Sequence, residues 1–184
     1  MSITNRLRSC YLMMIMLLTS SCEDTFQNQS PVGQTFPKVT GETLDRKVWD
    51  LPKHWLGEPT IILLGYIQDS QFDIDRWLIG LDMRQVNAKI YEVPTIKGIF
   101  PRLMSERINE GMRSGIPKVL WGGVITVYQD GEKIQRFTGN ENPRNARVLL
   151  LDQEGTIQCF KDEGFSILGL NQLINKLKEH QEIP

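Results

Sequence analysis

Residues 60–81 read TIILLGYIQDSQFDIDRWLIGL, in which an apolar run is followed directly by a helical pattern. The run from Thr60 to Ile67 is almost continuously apolar, which predicts a strand buried on both faces of a sheet. Apolar residues then recur at the spacing of one helix face, at Ile74, Trp77, Leu78 and Leu81. Ser70 and Asp73 have the spacing of a capping box at the start of that helix.

Outward from this stretch, strands and helices continue to alternate. Strands are predicted over 86–94, 119–128, 147–151 and 156–160, with a bulge or bend at Gly122-Gly123 in the second of them. Helices are predicted over 101–112 and 170–177. The first of these helices begins at Pro101 and places Met104, Ile108 and Met112 on its buried side, and Ser166 caps the second. Residues 132–137 fit either a short strand or a helical turn. The order predicts an α/β fold whose central mixed sheet carries helices on both faces.

Composition and motifs exclude several function classes. The chain has 184 residues, with 21 Lys and Arg against 22 Asp and Glu, so a polybasic nucleic-acid binder is excluded and no nucleic-acid partner is expected. The cysteines are Cys10, Cys22 and Cys159, and no C-x-x-C motif is present. Because His54 and His180 lie far apart without cysteine partners, no metal or cofactor is expected.

The N-terminus has the pattern of an export signal. Arg6 and Arg8 precede the apolar run 11–18, which is shorter than the roughly 20 residues of a membrane span. The residues Thr-Ser-Ser-Cys at 19–22 resemble the lipobox of bacterial lipoproteins, although Thr19 stands where that family usually has leucine. The resemblance implies cleavage after residue 21 and acylation of Cys22, which would make membrane lipid a partner.

These patterns divide the chain into a signal peptide (1–21), a lipid-anchored tether (22–31) and one domain (32–184). The alternative to acylation is an ordinary cleaved signal, with Cys22 remaining a free thiol. With acylation, the domain would lie in the bacterial cell envelope, anchored to a membrane and facing the periplasm or the exterior.

Two motifs resemble the redoxins, a branch of the thioredoxin fold near the peroxiredoxins. One is V-G-x-x-x-P at 32–37, which precedes the strand at 60–64. The other is a strand followed by D-x-x-G-x-I over 147–157. The resemblance covers residues 32–178 and implies a thioredoxin-like domain. A looser likeness, over 142–173, is to the thioredoxin-like assembly factors of mitochondrial ATP synthase.

The sequence departs from the redoxins at both halves of their redox site. Redox members carry a reactive cysteine where the first buried strand meets the first helix, but residues 68–73 read QDSQFD. They also carry a cis-proline six residues before the late aspartate, and that position is Ala146 here. Asp69, Ser70 and Gln71 therefore form a vestigial active-site loop, and no catalytic residue is predicted.

Several residues allow both a functional and a structural interpretation. Asp69, Ser70 and Asp73 could form a polar binding patch, but helix capping is favoured. Cys159 could be a redox thiol, but an inert strand cysteine is favoured. Trp49 and Trp55 could line a ligand groove, although aromatic residues are more often core. Residues 140–147 (NENPRNAR) could hold an anion, although a solvated loop is favoured.

The sequence therefore predicts a membrane-tethered, thioredoxin-like protein that binds or helps to assemble a protein partner of unknown identity and has no redox site. The alternative is a thiol-dependent reductase or peroxidase acting through Cys159. A binder of small ligands near Trp49 and Trp55 is a third hypothesis.

Overall fold

The structure, a computed structural model, describes residues 25–98 and 103–181. Its strands are β1 (Val39–Thr43), β2 (Val48–Leu51), β3 (Thr60–Gly65), β4 (Lys89–Pro94), β5 (Ile125–Thr126), β6 (Arg147–Leu151) and β7 (Ile157–Lys161). Its α-helices are α1 (Gln71–Met83), α2 (Ser105–Gly115), α3 (Gly131–Thr138) and α4 (Ile167–Gln181). The signal segment 1–21, Cys22 and the helix start predicted at Pro101 lie outside the described residues.

The central sheet has the strand order β4-β3-β6-β7. β3 is parallel to β4 and antiparallel to β6, which in turn pairs antiparallel with β7. Ile61 and Leu63 point into a core formed with α1 and α4, whereas Ile62 and Leu64 point into a core with Ile134 of α3. The predicted mixed sheet with helices on both faces is confirmed.

A second sheet, β2-β1-β5, was not apparent in the mixed pattern of residues 32–55. Isolated β-bridges at Val124 and Val127, which lie beside β4, join this second sheet to the central sheet. The opposite edge of the central sheet is partly covered: the Gly33 N–H donates to the Ile157 carbonyl on β7 (2.8 Å), and the Ile157 N–H donates to the Gln34 carbonyl (2.9 Å).

The strand predicted over 119–128 is wrong for most of its length. Residues Lys118–Gly123 form a 3-10 turn, in which the Trp121 indole N–H donates to the Ile116 carbonyl at 2.9 Å. Only Ile125–Thr126 pairs as a strand. The high β propensity of this stretch is overridden by a local hydrogen bond and by the two glycines of the turn.

The core side of α2 also differs from the prediction. Its buried residues are Asn109 and Arg113, whereas Met104 is exposed. The Arg113 Nε donates to the Leu44 carbonyl at 2.7 Å, and Asn109 Oδ1 accepts from the Tyr128 hydroxyl at 2.9 Å. The inward face of the helix is thus rotated by one residue from the predicted positions 108 and 112, and hydrogen-bonded polar side chains occupy it.

Two open points at helix starts are settled by the structure. Residues Gly131–Thr138 form α3, so the segment left open between strand and helix is helical. At the start of α4, the Gly169 N–H donates to Ser166 Oγ at 3.0 Å. That is the bond from the third helical residue to an N-cap hydroxyl, so the cap predicted at Ser166 is confirmed.

Candidate functional site

The two segments that correspond to the halves of a redoxin active site meet at one end of the two inner strands of the central sheet, β3 and β6. Because β3 and β6 are antiparallel, with Leu64 opposite Arg147, the end of β3 lies beside the start of β6. β3 is followed by a 3-10 turn, Gln68–Ser70, and then by α1. The vestigial active-site loop therefore adjoins Ala146.

Asp73 joins these two segments. Its Oδ2 accepts a hydrogen bond from the Ala146 backbone N–H at 2.9 Å, and its Oδ1 accepts one from the Phe165 backbone N–H at 2.8 Å. The carboxylate is buried, and Ala146 is buried as well. One side chain thus ties the first turn of α1 to the residue before β6 and to the loop before α4.

The predicted capping box at the start of α1 does not form. The Ser70 hydroxyl donates to the Ile67 carbonyl at 2.7 Å and makes no capping bond. Asp73 is engaged with other segments rather than with the helix start. The capping interpretation is therefore wrong, because the long-range bonds of Asp73 replace the local ones.

The three residues of the vestigial active-site loop do not converge on one point. Ser70 is buried against Gly65, where an added Cβ would lie 2.7 Å from Ser70 Oγ. Asp69 is exposed and pairs with Arg144 at 3.4 Å. Gln71 is also exposed, and its Nε2 donates to Asp75 at 2.9 Å. The polar patch considered for Asp69, Ser70 and Asp73 is likewise split, because Ser70 and Asp73 are buried and Asp69 is exposed.

Sequence reasoning missed Arg147, which has no exposed surface. Its Nη1 donates to the carbonyls of Asn142 (2.7 Å) and Asn145 (2.9 Å), and its Nη2 donates to Asn28 Oδ1 (3.0 Å). The guanidinium lies over the Tyr66 ring at 5.2 Å. Residues 141–145 are exposed or half-exposed, as expected for a solvated loop, but Asn140, Ala146 and Arg147 at its ends are buried. The available signal was that Arg147 belongs to the strand 147–151, which is fully buried, so its side chain had to be buried as well.

The neighbouring Tyr66 is part of the same polar group. Its hydroxyl is hydrogen-bonded to the Thr138 hydroxyl of α3. Burial raises the pKa of Tyr66 well above its usual range, so the phenol stays neutral at physiological pH. Both side chains are buried and tie α3, the loop 140–147 and residue 28 together, which is a structural role.

Cys159 lies in the middle of β7, opposite Leu150. It is half-buried and packs against the core formed by α1 and α4. Burial raises the pKa of the Cys159 thiol, whereas a nucleophilic cysteine requires a lowered one. The thiol is thus neither at the end of β3 nor activated.

The tryptophans of the ligand-groove hypothesis pack inside the protein. Trp55 is buried, with its ring centroid 5.2 Å from that of Phe36. Trp49 is half-buried and stacks on His54 at 5.0 Å. A groove of about 530 Å³ lies nearby, but its apolar lining comes from Val39, Leu51, Pro52 and Leu56 and not from either tryptophan.

The exposed apolar residues of α1 form a further candidate for binding. Phe72, Ile79 and Met83 are 72%, 60% and 76% exposed. Their spacing places them along one side of the helix, and we call them the α1 stripe. The stripe begins at Phe72, immediately after the vestigial active-site loop.

Within the described parts of the chain, no group of three or more His, Cys, Asp or Glu residues could hold a metal ion. No protein-family model matches the sequence, and no curated protein matches it.

Solved structures do match. A SCO1/SenC family lipoprotein from Bacillus anthracis is 11% identical, with a TM-score of 0.55, over 85% of this chain and 100% of that one. Thiol peroxidase from Chromobacterium violaceum is 10% identical, with a TM-score of 0.52, over 86% and 92%. The exposed lipoprotein thioredoxin of Streptococcus pneumoniae is 10% identical, with a TM-score of 0.50, over 77% and 100%.

This chain has a thioredoxin-like fold. The fold class expected from the redoxin resemblance is confirmed, while identities this low establish the fold alone. The thioredoxin-like domain places the vestigial active-site loop and Ala146 side by side, as a redox member of the fold would. Within residues 25–98 and 103–181, no helix has the length and apolar character needed to cross a bilayer.

Proposed function

We propose that the protein is a thioredoxin-like binding module that holds or helps to assemble a protein partner without thiol exchange, anchored by lipid on Cys22 in a bacterial cell envelope. The observation that carries this proposal is the position of Asp73. Its carboxylate joins the start of α1 to Ala146, where a redox member has a thiol facing a proline.

The chemistry of that position supports a binding role. A carboxylate has no sulfur to exchange with a disulfide or to be oxidised by a peroxide, and both Asp73 oxygens already accept backbone N–H groups. The bonds fix three segments of the chain to one another. A site whose three segments are fixed in this way is rigid, which suits stable binding better than a catalytic cycle.

The α1 stripe is the surface that we assign to the partner. Its three apolar side chains are more than half exposed and aligned along one helix face, so they offer a partner an apolar contact surface. The partner chemistry that fits is an apolar helix or strand face of a protein at the same membrane. A Sco-family protein of similar fold, described as a cytochrome c oxidase assembly protein, supports an assembly role by analogy.

The lipid anchor is supported by the lipobox-like residues at 19–22 and by the lipoproteins among the structures of similar fold. Cell fractionation tests it. We expect the parent chain in the membrane fraction and the Cys22→Ala variant in the soluble fraction. A variant that remains as firmly membrane-bound as the parent contradicts the anchor.

Site-specific photo-crosslinking in intact cells tests the binding surface. A photoreactive residue at Arg76, beside the stripe, should give one discrete protein adduct, and the same residue at Lys178 on α4 should not. The Ile79→Asp variant should lose the Arg76 adduct while keeping the parent melting temperature. Equal adducts from both positions, or an adduct that survives Ile79→Asp, contradict the stripe.

The thiol-dependent alternative is tested separately, by insulin reduction and peroxide consumption. The binding proposal predicts that the parent chain and the Cys159→Ser variant are equally inactive. Activity in the parent that disappears in Cys159→Ser would replace the binding proposal with the thiol-dependent one.

A further inference from the structure

The first described residues of the chain are docked on the domain. Residues 26–30, which we call the strap, run along the loop between α3 and β6. The Asn140 N–H donates to the Phe26 carbonyl (2.9 Å), and the Phe26 N–H donates to Asn140 Oδ1 (2.6 Å). The Glu141 N–H donates to Asn28 Oδ1 (3.0 Å), and the Asn28 N–H donates to Glu141 (2.9 Å).

The close approach of the strap requires Gly139. This residue has a φ of +78°, and an added Cβ would lie 2.2 Å from the Asn28 Cα. Two cations contact the Phe26 ring, the Arg136 guanidinium at 4.2 Å and the Lys97 ammonium at 5.6 Å from its centroid. Contacts of this number and kind define one docked position for residues that the sequence pattern assigned to a tether.

The docked strap limits how far the domain can move from a lipid on Cys22. Four residue steps separate Cys22 from Phe26, and a fully extended chain spans at most about 3.6 Å per residue, or about 14 Å in total. A free tether over 22–31 would reach more than twice as far. The anchor point and the surface around Phe26 are therefore close together.

We infer that the strap holds the α3 face of the domain against the headgroup layer of the anchoring membrane. This inference rests on the proposed lipid anchor at Cys22. Lys133 and Arg136 are exposed on α3, but the exposed Glu132 of the same helix pairs with Arg136 at 2.7 Å and neutralises much of its charge. It is therefore the short reach of the strap that places this face at the bilayer. α1 lies on the opposite face of the central sheet, so the α1 stripe faces away from the bilayer.

Fluorescence quenching in reconstituted vesicles tests this orientation. The full lipidated chain, with Cys159→Ser, carries a single bimane label at Lys133→Cys on α3 or at Lys178→Cys on α4. Both positions are exposed lysines, on opposite faces of the sheet. The vesicles contain phosphatidylcholine and a nitroxide-headgroup phosphatidylcholine. We expect several-fold stronger quenching of the label at position 133 than of the label at position 178.

Two changes, one at the surface that the strap contacts and one just before the strap, should abolish that difference. Gly139→Ala displaces the strap, whereas Gly111→Ala, at a helical glycine whose Cβ would meet open space, should leave the difference intact. Insertion of about ten Gly and Ser residues after Thr25 adds roughly 17 Å of root-mean-square reach without touching the fold. The insertion keeps the test valid should Gly139→Ala fail to fold.

Flotation of the vesicles separates the possible failures. A chain that does not float with the vesicles contradicts the lipid anchor, and with it the orientation. A chain that floats but shows equal quenching at both positions contradicts the orientation alone. The same conclusion follows if the difference persists after the insertion.

Discussion

Asp73 provides the most direct test of how this thioredoxin-like domain is held together. Replacement by alanine removes the acceptor for two backbone N–H groups, those of Ala146 and Phe165. A buried donor left without an acceptor costs about 1–3 kcal/mol, and bonds to charged acceptors lie toward the upper end. Since the Ala146 N–H is buried, we expect Asp73→Ala to reduce the free energy of unfolding by about 3 kcal/mol.

Asp75→Ala is the matched control. Asp75 lies in the same helix but is exposed, and its carboxylate accepts a bond from Gln71 at 2.9 Å. Both variants exchange aspartate for alanine in α1, so the change in helix propensity largely cancels between them. We expect Asp75→Ala to differ from the parent by no more than about 0.5 kcal/mol, as is usual for a surface position.

Urea unfolding followed by circular dichroism measures the difference. In a domain of this size, 3 kcal/mol corresponds to a fall in melting temperature of roughly 6–12 °C. Asp73→Asn should be intermediate, because the amide keeps one acceptor oxygen but turns an NH₂ group toward the other donor. If Asp73→Ala and Asp75→Ala unfold within about 0.5 kcal/mol of each other, Asp73 does not hold the three segments together.

Three further predictions concern single side chains. Because burial raises the pKa of the Cys159 thiol, iodoacetamide should alkylate it more slowly than free glutathione at neutral pH, and an equal or faster native rate would contradict the inert assignment. Burial also raises the pKa of Glu92, so folding favours the protonated side chain. This contribution to the free energy of unfolding is complete below the pKa of the unfolded chain, near 4.5, and is lost as the pH rises through the higher pKa of the folded protein. Glu92→Gln should therefore be more stable than the parent at neutral pH but not in acid, and urea midpoints that differ equally at both would refute this. Arg147→Ala removes the donor to Asn28 Oδ1, so amide hydrogen exchange within the strap should accelerate, and unchanged exchange would show that the strap docks without it.

The sequence predicted the fold best in segments where the apolar residues follow one clear pattern. β3 and β6 are fully buried and apolar apart from Thr60 and Arg147 at their first positions. α1 buries Ile74, Trp77 and Leu81 as its spacing requires. Segments with mixed patterns were harder. The β1–β2 hairpin exposes Val48 and includes a glycine, so neither alternation nor a continuous run marks it.

The candidate site was predictable only in part. The redoxin resemblance located the two segments that meet, but the function of Asp73 depends on Phe165, 92 residues away along the chain. Local spacing therefore assigned Asp73 to a capping box. Arg147 was missed for a related reason, since its hydrogen-bond acceptors include Asn28, which the sequence pattern placed in a free tether.

The pairing of Gly33 and Gln34 with Ile157 has a consequence for any shortened form of the chain. These residues occupy backbone groups at the open side of β7, where a strand from another molecule could otherwise add. A truncation that begins at Phe36 would preserve the core yet uncover a template for intermolecular pairing. Loss of solubility in such a fragment would then result from pairing at the exposed edge of β7 rather than from unfolding of the domain.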